Sequence, residues 1–503
     1  MLRVRKLDLR YLSDIVVLNV NDARKLGVDT ETRVDIYCNS SDYLGTVGVI
    51  LTEELVNKGE LGVPVDLAKR MGLEDNDVVE VHPHPHRRSI EYLRMKARGS
   101  RLGEGEIRSI IKDVVNGVLD DAGIAMFLTL QETVGMDEDE LHNLIKAMVE
   151  TGETVDFEFP VYDEHSIGGI PGNSKVAMLA VPTAVSTGVK VPKTSSRAIV
   201  SPSGTADTME VLARVDLSVD EIKEAVRKAG GTLAWTGRLN LAPADDIFVR
   251  IERRLSIDPP VQVVASILAK KVALRIRGLV LDLPVGPEAK LTSIGEAEKL
   301  AARFMTQANR FGMSFRALIT FGGEPIGFSI GPALEAREAL ETMINRKGSP
   351  SLVDKAMAIA GAVIELSGKA EVGEGARLAR RQFESGKTLE VFRRIIEAQG
   401  GDPSIKPDDL PLGSYSETIY STREGGIVKL SNKAFNAIAR VAGAPHDKAA
   451  GVKLHVKIGY RIRPGDPLFT IYSSSEARLE EAVSLAKSLE PIEVGTMLLK
   501  TIP

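Results

Sequence analysis

Two turns flank the apolar run Val176 to Val185, and they hold most of the side chains suited to gripping an anion. The first reads Asp163-Glu164-His165-Ser166-Ile167-Gly168-Gly169-Ile170-Pro171-Gly172-Asn173-Ser174-Lys175. The second reads Lys193-Thr194-Ser195-Ser196-Arg197-Ala198-Ile199, then Ser201-Pro202-Ser203-Gly204-Thr205-Ala206-Asp207. Each sets glycines, hydroxyls and a cation beside backbone N–H groups. The pattern predicts a helix opening at about Ser174, whose N-terminus would offer free N–H donors and a positive dipole end to an oxyanion. Glycine lets the backbone approach closely, Ser and Thr donate further hydrogen bonds, and Lys175 or Arg197 supplies charge. The chemistry that fits is phosphate binding; the plainer reading is two capped turns of an α/β protein. Neither turn has the spacing of a P-loop or of a dinucleotide fingerprint.

Taken in order, Ser195-Ser196-Arg197-Ala198-Ile199, Ser203-Gly204-Thr205-Ala206-Asp207 and Glu210 resemble the signature of the thymidine and pyrimidine nucleoside phosphorylases. His165-Ser166-Ile167-Gly168-Gly169 is similar to that family's first phosphate loop, and Ala265-Ser266-Ile267-Leu268-Ala269-Lys270-Lys271 to its base-binding helix. The resemblance runs from about residue 87 to the C-terminus. The segment before it, absent from the bacterial members, resembles the archaeal branch that acts on AMP. This implies phosphorolysis of AMP, with CMP and UMP as further candidates, by inorganic phosphate to give free base and ribose 1,5-bisphosphate. Two rivals stay open: a thymidine or pyrimidine nucleoside phosphorylase that needs no 5′-phosphate, and a non-catalytic nucleotide sensor on the same scaffold. Anthranilate phosphoribosyltransferase has a related helical–α/β architecture, but its diphosphate motifs find no match here.

Carried over by position, the resemblance implies phosphate contacts from Ser166, Ser195 and Thr205, with Ser174 or Lys175 as a fourth. Substrate contacts fall on Gly168, Thr194, Ser195, Ser196, Arg197, Ala198, Ile199, Ser203, Ser266 and Lys270; a base-binding arginine falls at Arg253 or Arg254. The bland alternatives are a helix cap for Ser266 and a solvated helix face for Lys270. The bacterial loop carries Lys just before His-Ser where this chain has Glu164, and a carboxylate there repels phosphate; Lys175 is the expected compensation. Lys290, after a strand, is a candidate for the 5′-phosphate, perched against the alternative of an exposed lysine after a turn. The proton for the departing base is assigned to Asp258, with His165 as runner-up. An apolar site around Ile257 and Pro259-Pro260 could raise the Asp258 pKa from an ordinary value near ~3.9. No metal and no cofactor are implied; inorganic phosphate is a co-substrate.

These groups need several domains to position them, and 503 residues with 43% apolar and 26% charged side chains suffice for that. A net charge of −5 gives no support for nucleic-acid binding. Cys38 is the sole cysteine, so no intrachain disulfide forms, which fits a reducing cytoplasm. No signal peptide and no membrane-spanning apolar run is expected.

The fold class is multidomain α/β. Residues 1–86 read as a small mostly-β, barrel-like assembly module, with strands at Leu2–Leu7, Ile15–Leu18, Arg33–Tyr37 and Val78–Val81 and a helix near Thr52–Lys58. His82-Pro83-His84-Pro85-His86 reads as a stiff linker, with metal binding the weaker alternative. Residues 87–156 form a helical domain, completed by about 235–265. Residues 157–410 form a large mixed-sheet α/β domain that binds phosphate and nucleotide. Residues 411–503 form a β-rich C-terminal α+β domain. The resemblance also implies a homodimer through the helical segments and larger assembly through the first module. It places the active site between helical and α/β domains that close on substrate.

Overall fold

The computed structural model describes residues 1–9, 14–30, 32–38, 42–84, 88–198 and 201–495. Ile199 and His86 fall outside them. The chain packs as two units, residues 1–151 with 242–265, and residues 152–241 with 266–503.

The first unit opens with a closed barrel. Its strands are β1 (Leu2–Leu7), β2 (Ile15–Asn19), β3 (Arg33–Cys38), β4 (Asp42–Thr52), β5 (Glu60–Pro64) and β6 (Val78–Pro83), in the order β1-β5-β2-β4-β3-β6. Alternation drives the closure: in β1, Leu2 and Val4 are buried while Arg3 and Arg5 are exposed. Closing the sheet leaves no unpaired edge. The helix expected at Thr52–Lys58 does not form. The Thr52 hydroxyl accepts the backbone N–H groups of Glu54 and Leu55, and this side-chain turn replaces helical pairing. The barrel's helices are instead Val20–Leu26 and Val65–Met71. The expected linker also begins later, because His82 and Pro83 belong to β6.

Helices Arg88–Ala97, Glu104–Val115, Asp121–Thr133 and Glu138–Glu150 follow, joined by Pro243–Leu255 from later in the chain. The periodic residues Ile107, Ile110, Ile111, Val114, Leu141, Leu144, Ile145 and Met148 are all buried, as a 3.6-residue stripe requires. Glu140 completes the capping box of Asp137 and also takes the buried ammonium of Lys96 at 2.8 Å. Phe248 reaches Phe127 with ring centroids 5.8 Å apart, tying the returning helix into the bundle.

The second unit is built on β7 (Tyr162–Ser166), β8 (Val191–Ser195), β9 (Gly231–Trp235), β10 (Gly278–Val285) and β11 (Ser314–Phe321). β11-β10-β7 forms one sheet and β8-β9 another. The expected mixed sheet is corrected: every pairing described among these strands is parallel. Helical crossovers carry the chain back between strands, and that connection produces parallel neighbours. Helix Ser174–Val185 is buried on every side, so it has no polar face to read as a surface helix. It packs against helices Pro332–Asn345, Pro350–Leu366 and Lys387–Ala398.

Beyond β12 (Ser329–Ile330), the C-terminal portion holds β13 (Tyr415–Tyr420), β14 (Gly425–Leu430), β15 (Gly451–Leu454), β16 (Arg461–Ile462), β17 (Pro467–Ser473) and β18 (Ile492–Gly495). They form antiparallel sheets β12-β15-β17-β13 and β16-β14-β18. Helices Asn432–Ala442 and Glu476–Leu489 cover them, with Phe435 edge-on to Phe469 at 5.3 Å. Among the described residues no helix is long and apolar enough to cross a membrane.

Candidate active site

Parallel strands gather chemistry at their carboxyl ends, where the following loops begin. β7 ends on His165 and Ser166, and β8 on Thr194 and Ser195. Gly168, Gly169 and Gly172 all have positive φ in the loop after β7. Two of these positions show why glycine is needed. A Cβ on Gly172 would lie 2.3 Å from the Ile326 carbonyl oxygen, and one on Gly169 would lie 3.3 Å from Lys290 Cγ. The second contact brings exposed Lys290 against the loop.

Ser166 is the loop's hub. Its hydroxyl donates to Asp282 Oδ2 at 2.7 Å and accepts from Asn173 Nδ2 at 3.0 Å and the Gly168 N–H at 3.3 Å. Asp282 is the register partner of Ser166 on β10 and is fully buried. Its carboxylate also receives Thr320 Oγ1 at 2.5 Å and lies 2.8 Å from Lys355 Nζ.

Several buried polar atoms nearby have no hydrogen-bond partner among the described residues: Thr194 Oγ1, Ser195 Oγ, His165 Nδ1 and Asn173 Oδ1. Buried polar atoms are normally paired, and these four lie at or shortly after two strand ends, open to a ligand or water as partner. The electrostatics favour an anion. Burial, then the charges of Lys193, Lys271, Lys270 and Lys290, hold the His165 imidazole well below its ordinary pKa, so it is neutral at pH 7. Two of those lysines are paired with the residues before His165. Lys271 Nζ donates to Asp163 at 2.5 Å, and Lys193 Nζ lies 3.0 Å from Glu164.

This arrangement corrects the compensation expected from Lys175. Its ammonium is completely buried and turned to Glu338 at 2.7 Å and to the Ser329 carbonyl at 2.6 Å. The charge beside Glu164 comes from Lys193 on β8. Ser174 is also committed inward, to Thr208 at 2.6 Å and to buried Glu335. Ser203 joins the same hydroxyl cluster through Thr208 at 2.7 Å. Half-buried Thr205 opens the short helix Thr205–Met209, its hydroxyl 3.5 Å from the Ser174 carbonyl.

Arg197 is clasped by Glu210 through both guanidinium NH groups and lies 4.8 Å over the Trp235 ring. Arg197, followed by Lys448, pulls the Glu210 carboxyl down to about 2. Asp207 caps the turn by accepting the N–H groups of Ala198 at 2.7 Å and Gly204 at 3.1 Å. The acidic residues of the signature therefore shape the loop, while Ser196 stays exposed on it.

Ser266 and Lys270 share one face of helix Pro260–Ala273, with Lys270 Nζ 3.5 Å from Ser266 Oγ. Asp258 lies in the first unit, exposed in the turn before that helix. Arg253 and Arg254 are both exposed, and Arg254 is bound to Asp121 at 2.9 Å. Asp282, Thr320, Lys355, Asn173 and Lys193 were not singled out from the sequence. For Asp282 the readable signal is a polar residue inside a run otherwise fit for a buried strand, Leu279–Leu283.

Three family models match in order. They are the glycosyl transferase family helical bundle domain over residues 90–152, the glycosyl transferase family a/b domain over 158–389, and the pyrimidine nucleoside phosphorylase C-terminal domain over 427–493. The chain is 49% identical over 490 residues to the AMP phosphorylase of Hyperthermus butylicus, covering 97% of each chain. It is 46% identical to AMP phosphorylase 1 of Archaeoglobus fulgidus, covering 96% of this chain and 95% of that one. It is 42% identical to the AMP phosphorylase of Pyrococcus furiosus, covering 99% of each. Among solved structures, anthranilate phosphoribosyltransferase of Thermus thermophilus aligns with a TM-score of 0.52 at 19% identity, over 61% of this chain and 98% of that one, which shows a shared fold.

Proposed function

The chain belongs to the AMP phosphorylase family, and from that premise we propose that it cleaves AMP with inorganic phosphate to give adenine and ribose 1,5-bisphosphate. It is a pentosyltransferase. A phosphate oxygen attacks C1′ as the C1′–N bond to the base breaks; positive charge develops on the ribose and negative charge on the base. Positioning and fixed electrostatics supply most of the acceleration. The observation that carries this reading is the set of unpartnered hydroxyls of Thr194 and Ser195, beside a neutral His165 ringed by four lysines. We assign Ser195, Thr194 and Thr205 to phosphate and Gly168 to the substrate. Ser266 and Lys270 are assigned to the nucleotide, and Lys290 to its 5′-phosphate.

Base release from AMP, measured with and without inorganic phosphate, tests the proposal. Release that does not depend on phosphate would make the protein a hydrolase, and no release in either condition would make it a sensor. Parallel assays with CMP, UMP, adenosine and thymidine set the substrate class; preference for the nucleosides would favour the pyrimidine nucleoside phosphorylase reading. We further propose that the helical segments form a homodimer and the barrel promotes larger assembly. Removing residues 1–84 should then reduce the mass measured by light scattering, and an unchanged mass would refute the barrel's role.

A further inference from the structure

We propose that Asp282 is a positioning residue for phosphate: acting through Ser166, it preorganises the loop Ile167–Asn173, and Lys355 and Thr320 hold it in that role. The inference rests on the phosphate reading of this loop given above.

A serine hydroxyl has one hydrogen and two lone pairs. Ser166 sends its hydrogen to Asp282 and receives Asn173 Nδ2 and the Gly168 N–H. Every hydrogen-bonding site on this hydroxyl is therefore engaged within the protein. These three contacts hold the Ser166 hydroxyl in one orientation. What it does is fix two groups of the loop, one at its glycine-rich start and one at Asn173, beside the opening of helix Ser174–Val185.

The brace behind Ser166 is rigid for a geometric reason. Ser166 and Asp282 are register partners on adjacent parallel strands, so their side chains emerge on the same face. Thr320 lies two residues beyond Leu318, the register partner of Asp282 on β11, and so shares that face. Lys355 arrives from helix Pro350–Leu366, which packs on the sheet. Three strands and a helix thus converge on one carboxylate. An ionised carboxylate makes a stronger and more directional acceptor than a neutral group would, and its buried charge is matched by a single lysine. The charge pair sets the carboxylate, the carboxylate sets Ser166, and Ser166 sets the loop.

The test is a double-mutant cycle on the full-length protein, reading the KM for phosphate at saturating AMP and the KM for AMP at saturating phosphate. Ser166→Ala and Asp282→Asn should each raise the phosphate KM by about tenfold, the scale of one hydrogen bond to a charged group, with the AMP KM within about twofold of wild type. Ser166→Ala/Asp282→Asn should be no worse than Ser166→Ala alone, because both substitutions cut the same connection. Effects that multiply in the double variant would overturn the proposal. So would an unchanged phosphate KM in Asp282→Asn, or equal damage to both KM values. If Asp282→Asn does not fold, Asp282→Asn/Lys355→Met removes both buried charges and takes its place in the cycle. Thr320→Val leaves the ion pair whole and should raise the phosphate KM about threefold through the loosened carboxylate; no change there also overturns the proposal. If Ser166→Ala leaves the phosphate KM untouched while AMP cleavage still requires phosphate, the loop is not the phosphate site and the positioning role falls with it. If AMP cleavage needs no phosphate at all, it is the functional reading that has failed.

Discussion

The carboxylate of Glu164 lies 3.0 Å from the ammonium of Lys193, with both side chains buried. Lys193 also donates to the carbonyl of Glu164 itself, so it is bound to that residue twice. The cation beside Glu164 on β7 is delivered from β8, a strand of the other parallel sheet. Truncating Lys193 to Met should strand a buried carboxylate and cost about 3–5 kcal/mol of stability by denaturant unfolding. Adding Glu164→Gln should recover most of that loss. Full recovery of the phosphate KM alongside stability would show that the pair is only a brace; the expectation is that it stays raised.

His165 gives a prediction for pH. Its folded pKa is depressed, first by burial and then by four lysines, whereas the unfolded imidazole titrates near ~6.5. Above that value both states are neutral and the group contributes no pH dependence. As pH falls below it, the unfolded chain takes up the proton first and the fold loses stability. Stability should therefore drop more steeply between pH 7 and 5 in wild type than in His165→Gln, measured by chemical denaturation. Phosphate brings compensating negative charge, so saturating phosphate should move the His165 titration upward in an NMR experiment. A ring that titrates at its ordinary value in the free protein would contradict the depression.

Much of this site could be read from residue types, but not the inward or outward direction of each side chain. The hydroxyl-rich ends of β7 and β8 were legible because turn chemistry is local. The roles of Lys175 and Lys193 were not. Both sit beside the key turns, but one points to Glu338 and the other to Glu164, and those partners are fixed by tertiary packing. Asp282 was hidden for a related reason, since its strand reads as a buried apolar run and its partner Ser166 lies 116 residues away in sequence. The barrel shows the same limit. Four of its strands were legible from their Val/Ile/Leu-rich runs, whereas a threonine-capped turn at Thr52 read as a helix.

Lys290 should separate nucleotide from nucleoside. Its side chain packs against Gly169, so it approaches the phosphate loop from the turn after β10. A lysine that meets the 5′-phosphate contributes a charge-assisted contact that adenosine cannot use. Lys290→Ala should lower kcat/KM for AMP by roughly 10- to 100-fold and leave the rate on adenosine unchanged. Loss of both activities in equal measure would instead assign Lys290 to the shape of the loop, and Gly169→Ala would be expected to mimic it.

The proton for the departing base distinguishes Asp258 from His165. A neutral imidazole in the free protein is a hydrogen-bond partner rather than a ready acid, and the assignment to Asp258 is the one the family resemblance implies. Asp258 is exposed in the turn before helix Pro260–Ala273, the helix that carries Ser266 and Lys270. Its exposure means that replacing it should change stability by less than about 0.5 kcal/mol, so a kinetic effect would not be confused with unfolding. Asparagine keeps the size and a hydrogen-bond donor but has no proton to give. Asp258→Asn should therefore lower kcat on AMP by roughly 100-fold or more, with the phosphate KM little changed. Asp258→Ala should match it. Because the leaving base, not the attacking phosphate, needs the proton, a substrate whose base leaves without protonation should recover much of the lost rate in Asp258→Asn. Near-normal kcat in Asp258→Asn, together with a large loss in His165→Ala, would move the acid role to His165.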